Sequence, residues 1–161
     1  GPTQNAEDRK IPPVGGGSAA FRSFIRSELM PVINARYRTT AENAIIGESL
    51  AGLFIVETFF VEPDLFDTYI AFDPSVWWND AELVKGAAQR ARASTEPRVL
   101  YLANSSEPEL ARLTRQLAET LRRDKPSNLR LHYLPMPRET HATIYHPAAL
   151  QALRRLFKPA G

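Results

Sequence analysis

A short apolar run that passes through a tight turn directly into an apolar helix limits the fold of this chain more than any other feature of its sequence. The stretch reads NAIIGESLAGL over residues 43–53. Gly47 and Ala51 are both small, so the outgoing helix can cross close to the strand that it leaves. We therefore expect residues 43–53 to form a strand, a sharp turn and the start of a helix.

The serine at this turn has the surroundings that a nucleophile requires. Ser49 is the centre of a Gly-x-Ser-x-small step, in which the serine adopts a sparsely populated backbone conformation and its hydroxyl projects above the sheet. The usual motif has glycine where this chain has Ala51. The backbone N–H of Leu50, the next residue, is expected to be one of two donors to an oxyanion. We therefore predict that Ser49 is a catalytic nucleophile.

A serine nucleophile needs a base, and all three histidines of the chain follow Ser49. His141 lies in a polar loop between the last predicted strand and the last predicted helix, from which an imidazole can reach back over the serine. His132 falls within an alternating strand pattern, and His146 directly precedes Pro147 at a helix start. We predict that His141 is the catalytic base and interpret the other two as structural.

Hydrophobic periodicity predicts strands that alternate with helices over most of the chain. The predicted strands cover residues 43–47, 68–72, 98–103 and 130–134, and the predicted helices cover residues 19–36, 50–61, 80–93, 108–123 and 147–156. The first helix contains Pro31, at which we expect a kink or a restart. This alternation favours an α/β fold, with a parallel sheet and helices on both faces.

Several blocks of this sequence, taken together, resemble a known family. They read GESLAGLF over residues 47–54, PDLFDTYIAFDPSVWW over residues 63–78 and ETH over residues 139–141, and are preceded by ELMPVI over residues 28–33 and YRT over residues 37–39. In this combination they resemble the esterase D and enterochelin-esterase-like branch of the α/β-hydrolases. The resemblance covers about residues 15–157. One departure is Asp73, where the family often carries serine.

The resemblance implies that the α/β-hydrolase fold has strands before residue 1. A complete member has about eight strands, so residues 18–158, with four predicted strands, correspond to its C-terminal portion. The N-terminal half of the family lies beside the elbow strand and supplies the second oxyanion donor. Residues 44–46 are therefore expected to form an apolar sheet edge, covered by an upstream polypeptide or by a second copy of the chain. The polar, Pro/Gly-rich residues 1–17 are expected to be a mobile loop or linker.

The acid that would orient His141 is expected in the loop after the penultimate predicted strand. The resemblance implies an acidic residue just after such a strand, and Glu107 is our first choice. Glu107 is also placed as in an ordinary helix start, where acidic side chains are favoured. Glu109 and Asp73 are alternatives, and some relatives resemble Ser–His dyads with no acid. Glu139 is too near His141 in sequence to be preferred.

Two adjacent tryptophans follow the second predicted strand, at the rim of the sheet where Ser49 is expected. One interpretation is that Trp77 and Trp78 pack in the core. The other is that one of them lines an acyl or aryl pocket, because concave ligand sites favour aromatic walls. Both are therefore candidate substrate-binding residues.

Composition excludes several classes of function. The chain has 161 residues, of which 43% are hydrophobic, enough for one folded core. A net charge of +2 does not indicate a nucleic-acid partner, and the absence of cysteine excludes disulfides and thiol catalysis. No apolar run approaches the length needed to span a membrane. We find no metal-ligand spacing, phosphate loop or cofactor motif, so we expect neither a metal nor a cofactor.

Ser49 and His141, in this chain order, predict a serine carboxylester hydrolase that acts on a small-molecule ester. The resemblance implies siderophore esters or simple acyl esters as substrates, with peptides less favoured. One alternative is a non-catalytic hydrolase-like module, or a fragment that assembles with an N-terminal half. Another is an acyltransferase, which would use the same residues to pass the acyl group to an alcohol.

Overall fold

Four parallel strands, arranged in the order β1-β2-β3-β4, form the central sheet. They are Ala44–Glu48 (β1), Thr68–Phe72 (β2), Arg98–Asn104 (β3) and Leu129–Pro135 (β4). The computed structural model describes residues 2–11, 16–93, 95, 97–124 and 127–157. The parallel α/β architecture expected from the alternation of strands and helices is confirmed.

Helices cover both faces of this sheet. They are Ser18–Phe24 (α1), Met30–Arg36 (α2), Ser49–Val61 (α3), Trp78–Lys85 (α4), Ala87–Arg92 (α5), Pro108–Asp124 (α6) and Tyr145–Leu156 (α7). Helices α3 to α6 share one hydrophobic core with the sheet, and α7 packs in a second core. Within the described ranges, no helix combines the length and the apolar character that crossing a membrane would require.

The alternation of side chains along β2 separates these two cores. Tyr69 and Ala71 belong to the core under α3 to α6, whereas Ile70 and Phe72 belong to the core under α7. All five residues of β2 are buried. A strand covered on both faces reads as a continuous apolar run, as parallel strands in α/β proteins do.

The first helical region widens before Pro31, where a kink or restart was expected. A π-helical turn, Ile25–Leu29, joins α1 to α2. Proline has no backbone N–H, and its ring crowds the carbonyl four residues earlier. A local widening of the helix immediately before Pro31 relieves that crowding.

The helix expected over residues 80–93 is two helices in the structure, separated at Gly86. Directly after its first residue, the first of them contains three consecutive left-handed residues, Asn79, Asp80 and Ala81, whose φ angles lie between 53° and 56°. Left-handed backbone costs roughly 1–2 kcal/mol for each non-glycine residue. Such a turn therefore needs support from outside the helix.

The N-terminal segment supplies that support through side-chain hydrogen bonds. Asp8 is 6% exposed, and its Oδ2 accepts hydrogen bonds from the backbone N–H of Asn79 at 2.6 Å and from Thr3 Oγ1 at 3.0 Å. Asn5 Nδ2 donates to Asp80 Oδ1 at 2.6 Å. These contacts satisfy polar groups that the irregular turn leaves outside helical hydrogen bonding.

The mobile loop or linker expected over residues 1–17 stays a prediction. Within it, the side chains of Thr3, Asn5 and Asp8 form hydrogen bonds with the start of α4. Residues 1 and 12–15 of the expected linker lie outside the described residues.

Replacing Ala81 with glycine should raise the free energy of unfolding by about 0.5–1 kcal/mol, because glycine adopts a left-handed backbone without the steric cost of a Cβ. The matched control is Ala88→Gly in α5, where ordinary helical backbone predicts a loss of about 1 kcal/mol. Chemical denaturation followed by circular dichroism measures both. Equal destabilisation by the two substitutions would contradict a left-handed turn at Ala81.

Strand β1 lies at one end of the sheet, where the sequence predicted an apolar edge. Among the described residues, β1 pairs with β2 alone. Ile46 on β1 and Leu50 at the start of α3 are 37% and 56% exposed. The nearby helical region also exposes large apolar side chains, namely Phe21, Phe24, Leu29, Val32, Ile33 and Tyr37.

Candidate active site

The sharp turn between β1 and α3 has the backbone of a nucleophile elbow. Strand β1 ends at Glu48, α3 begins at Ser49, and the φ angle of Ser49 is +57°. A Cβ on Gly47 would lie 2.8 Å from Ala51 Cβ and 3.1 Å from Ile55 Cδ1. The helix therefore crosses the strand so closely that only glycine fits at position 47, as the sequence pattern predicted.

The loop after β2 packs directly against this elbow. A Cβ on Gly52 would lie 3.0 Å from Pro74 Cα and 3.2 Å from the carbonyl oxygen of Phe72. Ser75 donates its backbone N–H to the carbonyl oxygen of Ser49 at 3.0 Å, and the Oγ atoms of these two serines are 3.4 Å apart. The small residue at position 52 thus lets the chain after β2 run alongside Ser49.

A buried carboxylate in this loop holds the candidate base. Asp73 is fully buried, and its Oδ2 lies 3.1 Å from His141 Nδ1. Its Oδ1 accepts the backbone N–H of Ser105 at 2.7 Å. With Nδ1 donating to Asp73, the Nε2 atom of His141 is the ring nitrogen that remains to accept a proton. Asp73 also has a positive φ angle, 39°, so two neighbouring loops both carry left-handed non-glycine backbone.

Asp73, and not Glu107, is the acid that the structure brings to His141. Glu107 is exposed, and its backbone N–H donates to Ser105 Oγ at 3.2 Å. Glu109 is exposed in the first turn of α6. Asp73 follows the strand adjacent to β1, whereas Glu107 follows the strand after that, one strand spacing of about 4.8 Å further from the elbow.

Ser49 itself is half-buried, and His141 keeps 40% of its side chain exposed. Within the described part of the chain, no hydrogen bond joins Ser49 Oγ to His141. Such bonds are often long before substrate binds and tighten in the reactive complex. The two residues are presented at the same carboxyl-terminal edge of the sheet, since each follows a parallel strand.

A second carboxylate lies beside His141. Glu48 Oε1 is 3.8 Å from His141 Nδ1. Burial is the main cause of a raised Glu48 pKa, to which the negative charge of Asp73 adds, while His141 and His146 act in the opposite direction. No role for Glu48 was predicted from the sequence, because the middle position of the Gly-x-Ser step accepts any residue.

These three side chains also form a possible metal-ligand group, because one ligand atom from each lies within 4.8 Å of the others. In the tautomer that donates to Asp73, however, His141 Nδ1 carries a proton and has no lone pair for a metal. The contacts therefore favour a hydrogen-bonded acid–base pair over a metal centre.

The backbone N–H of Leu50 lies in the first turn of α3. The N–H groups of a first helical turn have no partner within the helix, and the positive end of the helix dipole favours a negative charge there. This position suits an oxyanion donor, and the role of Leu50 stays a prediction.

The other two histidines lie apart from the Asp73 contact. His132 lies on β4, where its Nδ1 accepts a hydrogen bond from Arg155 Nε at 2.9 Å. Burial, followed by the charges of Arg155 and Arg130, lowers the pKa of His132. His146 is exposed in the first turn of α7. This helix begins at Tyr145, two residues earlier than the periodicity indicated.

The tryptophans lie at the start of α4, and both are partly buried. Trp77 packs against the core under α3 to α6. Trp78 lines a cavity of about 190 Å³ together with Leu53 and Glu57, and none of Ser49, Asp73 and His141 lines that cavity. Contact of either tryptophan with substrate stays a prediction.

The sequence of this chain matches a family of known proteins. Residues 3–131 match the family described as "Putative esterase". The chain is 28% identical over 167 aligned positions to a ferri-bacillibactin esterase of Bacillus subtilis, and the match covers 98% of this chain and 57% of that protein. It is 41% identical over 70 positions to a siderophore triacetylfusarinine C esterase of Aspergillus fumigatus, covering 42% of this chain and 24% of that protein.

Solved structures share the fold. An IroE-like serine hydrolase of Shewanella oneidensis matches with a TM-score of 0.84 and 27% identity, over 90% of this chain and 49% of that one. The siderophore hydrolase EstB of Aspergillus nidulans matches with a TM-score of 0.77 and 20% identity, over 98% of this chain and 64% of that one. The chain therefore spans about half the length of the relatives that it matches. The family match covers four-fifths of this chain, and the structure has the elbow and the parallel sheet of the α/β-hydrolase fold. This chain therefore belongs to the putative esterase family of α/β-hydrolases.

Proposed function

We propose that this chain carries the nucleophile, base and acid of a serine carboxylester hydrolase, namely Ser49, His141 and Asp73. The observation that supports this most directly is the 3.1 Å contact between His141 Nδ1 and a fully buried Asp73 carboxylate, in the loop packed against a left-handed Ser49. A buried acid that orients a histidine, next to a strained serine at the end of a parallel strand, is the arrangement that acyl transfer uses.

The proposed reaction begins with attack on the ester carbonyl. Ser49 Oγ forms a bond to the carbonyl carbon while its proton passes to His141 Nε2, and the negative charge moves to the carbonyl oxygen near the N–H of Leu50. Collapse of this intermediate breaks the bond to the leaving alcohol, which takes the proton from His141. Water then attacks the acyl group on Ser49 in the same way, and the carboxylic acid leaves. Asp73 keeps the ring in the required tautomer throughout.

We propose siderophore esters as the substrate class. The relatives named above are described as acting on ferri-bacillibactin and triacetylfusarinine C, and the family match covers most of this chain. The direct test is hydrolysis of a siderophore ester beside p-nitrophenyl acetate, with a fluorophosphonate probe to label the nucleophile. Product analysis in the presence of competing alcohols distinguishes hydrolysis from acyl transfer. Absence of label on Ser49 in folded protein would refute the esterase proposal.

We also propose that an upstream polypeptide covers β1 and completes the site. The unpaired side of β1 and the exposed Ile46 and Leu50 present an apolar edge of the kind that soluble proteins cover. The relatives extend well beyond the length that this chain matches. In this proposal the upstream polypeptide supplies the second oxyanion donor.

Residues 1–161 alone should therefore turn over esters about 10²- to 10³-fold more slowly than the full-length polypeptide, since one oxyanion donor is missing. The isolated chain should also self-associate through the β1 edge. Light scattering after size-exclusion chromatography of the refolded chain, together with an esterase assay, measures both effects. A soluble monomer with the turnover of the full-length polypeptide would contradict the proposal.

A further inference from the structure

His141 faces two carboxylates on the same ring nitrogen. Asp73 Oδ2 lies 3.1 Å from Nδ1, and Glu48 Oε1 lies 3.8 Å from it. Asp73 follows β2 and Glu48 ends β1, so adjacent strands bring the two groups to one side of the ring. Nδ1 carries one proton at most, and the shorter distance assigns its hydrogen bond to Asp73.

Among the described residues, the Glu48 carboxylate makes no ion pair apart from its contact with His141. Glu48 is the residue that precedes α3, but its side chain makes no capping hydrogen bond. The positive end of α3 favours the ionised carboxylate at this position. Its side chain is 22% exposed, so the charge is only partly screened by water.

We propose that Glu48 is a positioning residue that stabilises the positively charged His141 imidazolium formed when Ser49 gives up its proton. This inference rests on the proposed function, because the imidazolium forms in the reaction only if His141 is the base. A carboxylate 3.8 Å from the ring attracts the cation more strongly than the neutral ring. Asp73 would then fix the tautomer, and Glu48 would add to the stabilisation of charge.

The titratable groups that face Glu48 help to set the pH range in which its carboxylate is charged. They are Asp73 after β2, His141 in the loop after β4 and His146 at the start of α7. Burial raises the pKa of Glu48, so this carboxylate takes up a proton at a higher pH than an ordinary glutamate. The stabilisation is complete above that range and is lost as the pH falls through it.

The test compares Glu48→Gln with Glu107→Gln in the full-length polypeptide. Each substitution removes one negative charge with little change in shape, but Glu107 is exposed and lies outside the His141 contact. We expect Glu48→Gln to lower the plateau of kcat/KM roughly 3- to 30-fold. The acid limb of its pH profile should move to lower pH, since the neutral imidazole loses a neighbour that favours protonation. Glu107→Gln should change neither quantity.

A second measurement keeps this inference separate from the esterase proposal. NMR follows the His141 imidazole signals through a pH titration, with His141→Gln to assign them. The midpoint should lie at lower pH in Glu48→Gln than in the parent, and should be unchanged in Glu107→Gln. If the parent hydrolyses no ester but the midpoint moves, the esterase proposal fails and the pairing of Glu48 with His141 is supported. An unmoved midpoint, an equal movement in Glu107→Gln, or a loss of activity without any movement overturns the inference.

Discussion

Ser49→Ala should leave the protein folded and lower its ester turnover by about 10⁴- to 10⁶-fold, because the variant lacks the oxygen proposed to attack the ester. Alanine keeps the Cβ, so the backbone strain at φ +57° is unchanged and the fold should tolerate the substitution. Turnover of p-nitrophenyl acetate measures the loss, and circular dichroism confirms folding. Wild-type turnover by this variant would show that the elbow does not carry the nucleophile.

His141→Ala provides the control for that result. If Ser49 and His141 act as a unit, the single variants lose comparable activity and the double variant loses little more. Additive losses would show that His141 is not the base for Ser49. The comparison thus tests the pairing of the two residues independently of the size of either effect.

Asp73→Asn should lower kcat by about 10³- to 10⁴-fold. The asparagine amide can donate a hydrogen bond to His141 Nδ1, which places the ring proton on Nε2, the nitrogen that must accept the serine proton. The side chain at position 73 cannot turn away to avoid the wrong tautomer, because it is fully buried and also accepts the N–H of Ser105.

Glu107→Gln is the matched control for Asp73→Asn, since Glu107 was the acid predicted from the sequence. Its exposed side chain lies outside the His141 contact, so we expect turnover within about twofold of the parent. Steady-state kinetics of both variants, with thermal melting as a folding check, decides between them. A larger loss in Glu107→Gln than in Asp73→Asn would return the acid to the loop after β3.

Local chemistry was sufficient to predict the strand, turn and helix around Ser49. The close crossing of α3 over β1 needs small residues at 47 and 51, and that need is visible in eleven consecutive letters. The same local reasoning missed the division of the predicted helix over residues 80–93. Its left-handed first turn depends on Asp8, more than 70 positions earlier, whose Oδ2 accepts the N–H of Asn79.

The acid had to be decided by the tertiary structure. From the sequence, Glu107, Glu109 and Asp73 each follow a strand and each carry a carboxylate, so the chain order did not separate them. What separates them is which strand lies next to β1 and which side chain contacts His141. The first depends on the pairing of residues 24 positions apart, such as Ala44 with Thr68, and the second on a contact between residues 68 positions apart. Sequence patterns with short spacing were enough to predict the sharp turn that holds Ser49, whereas the packing of distant loops on one edge of the sheet decides that Asp73 is the carboxylate in contact with His141.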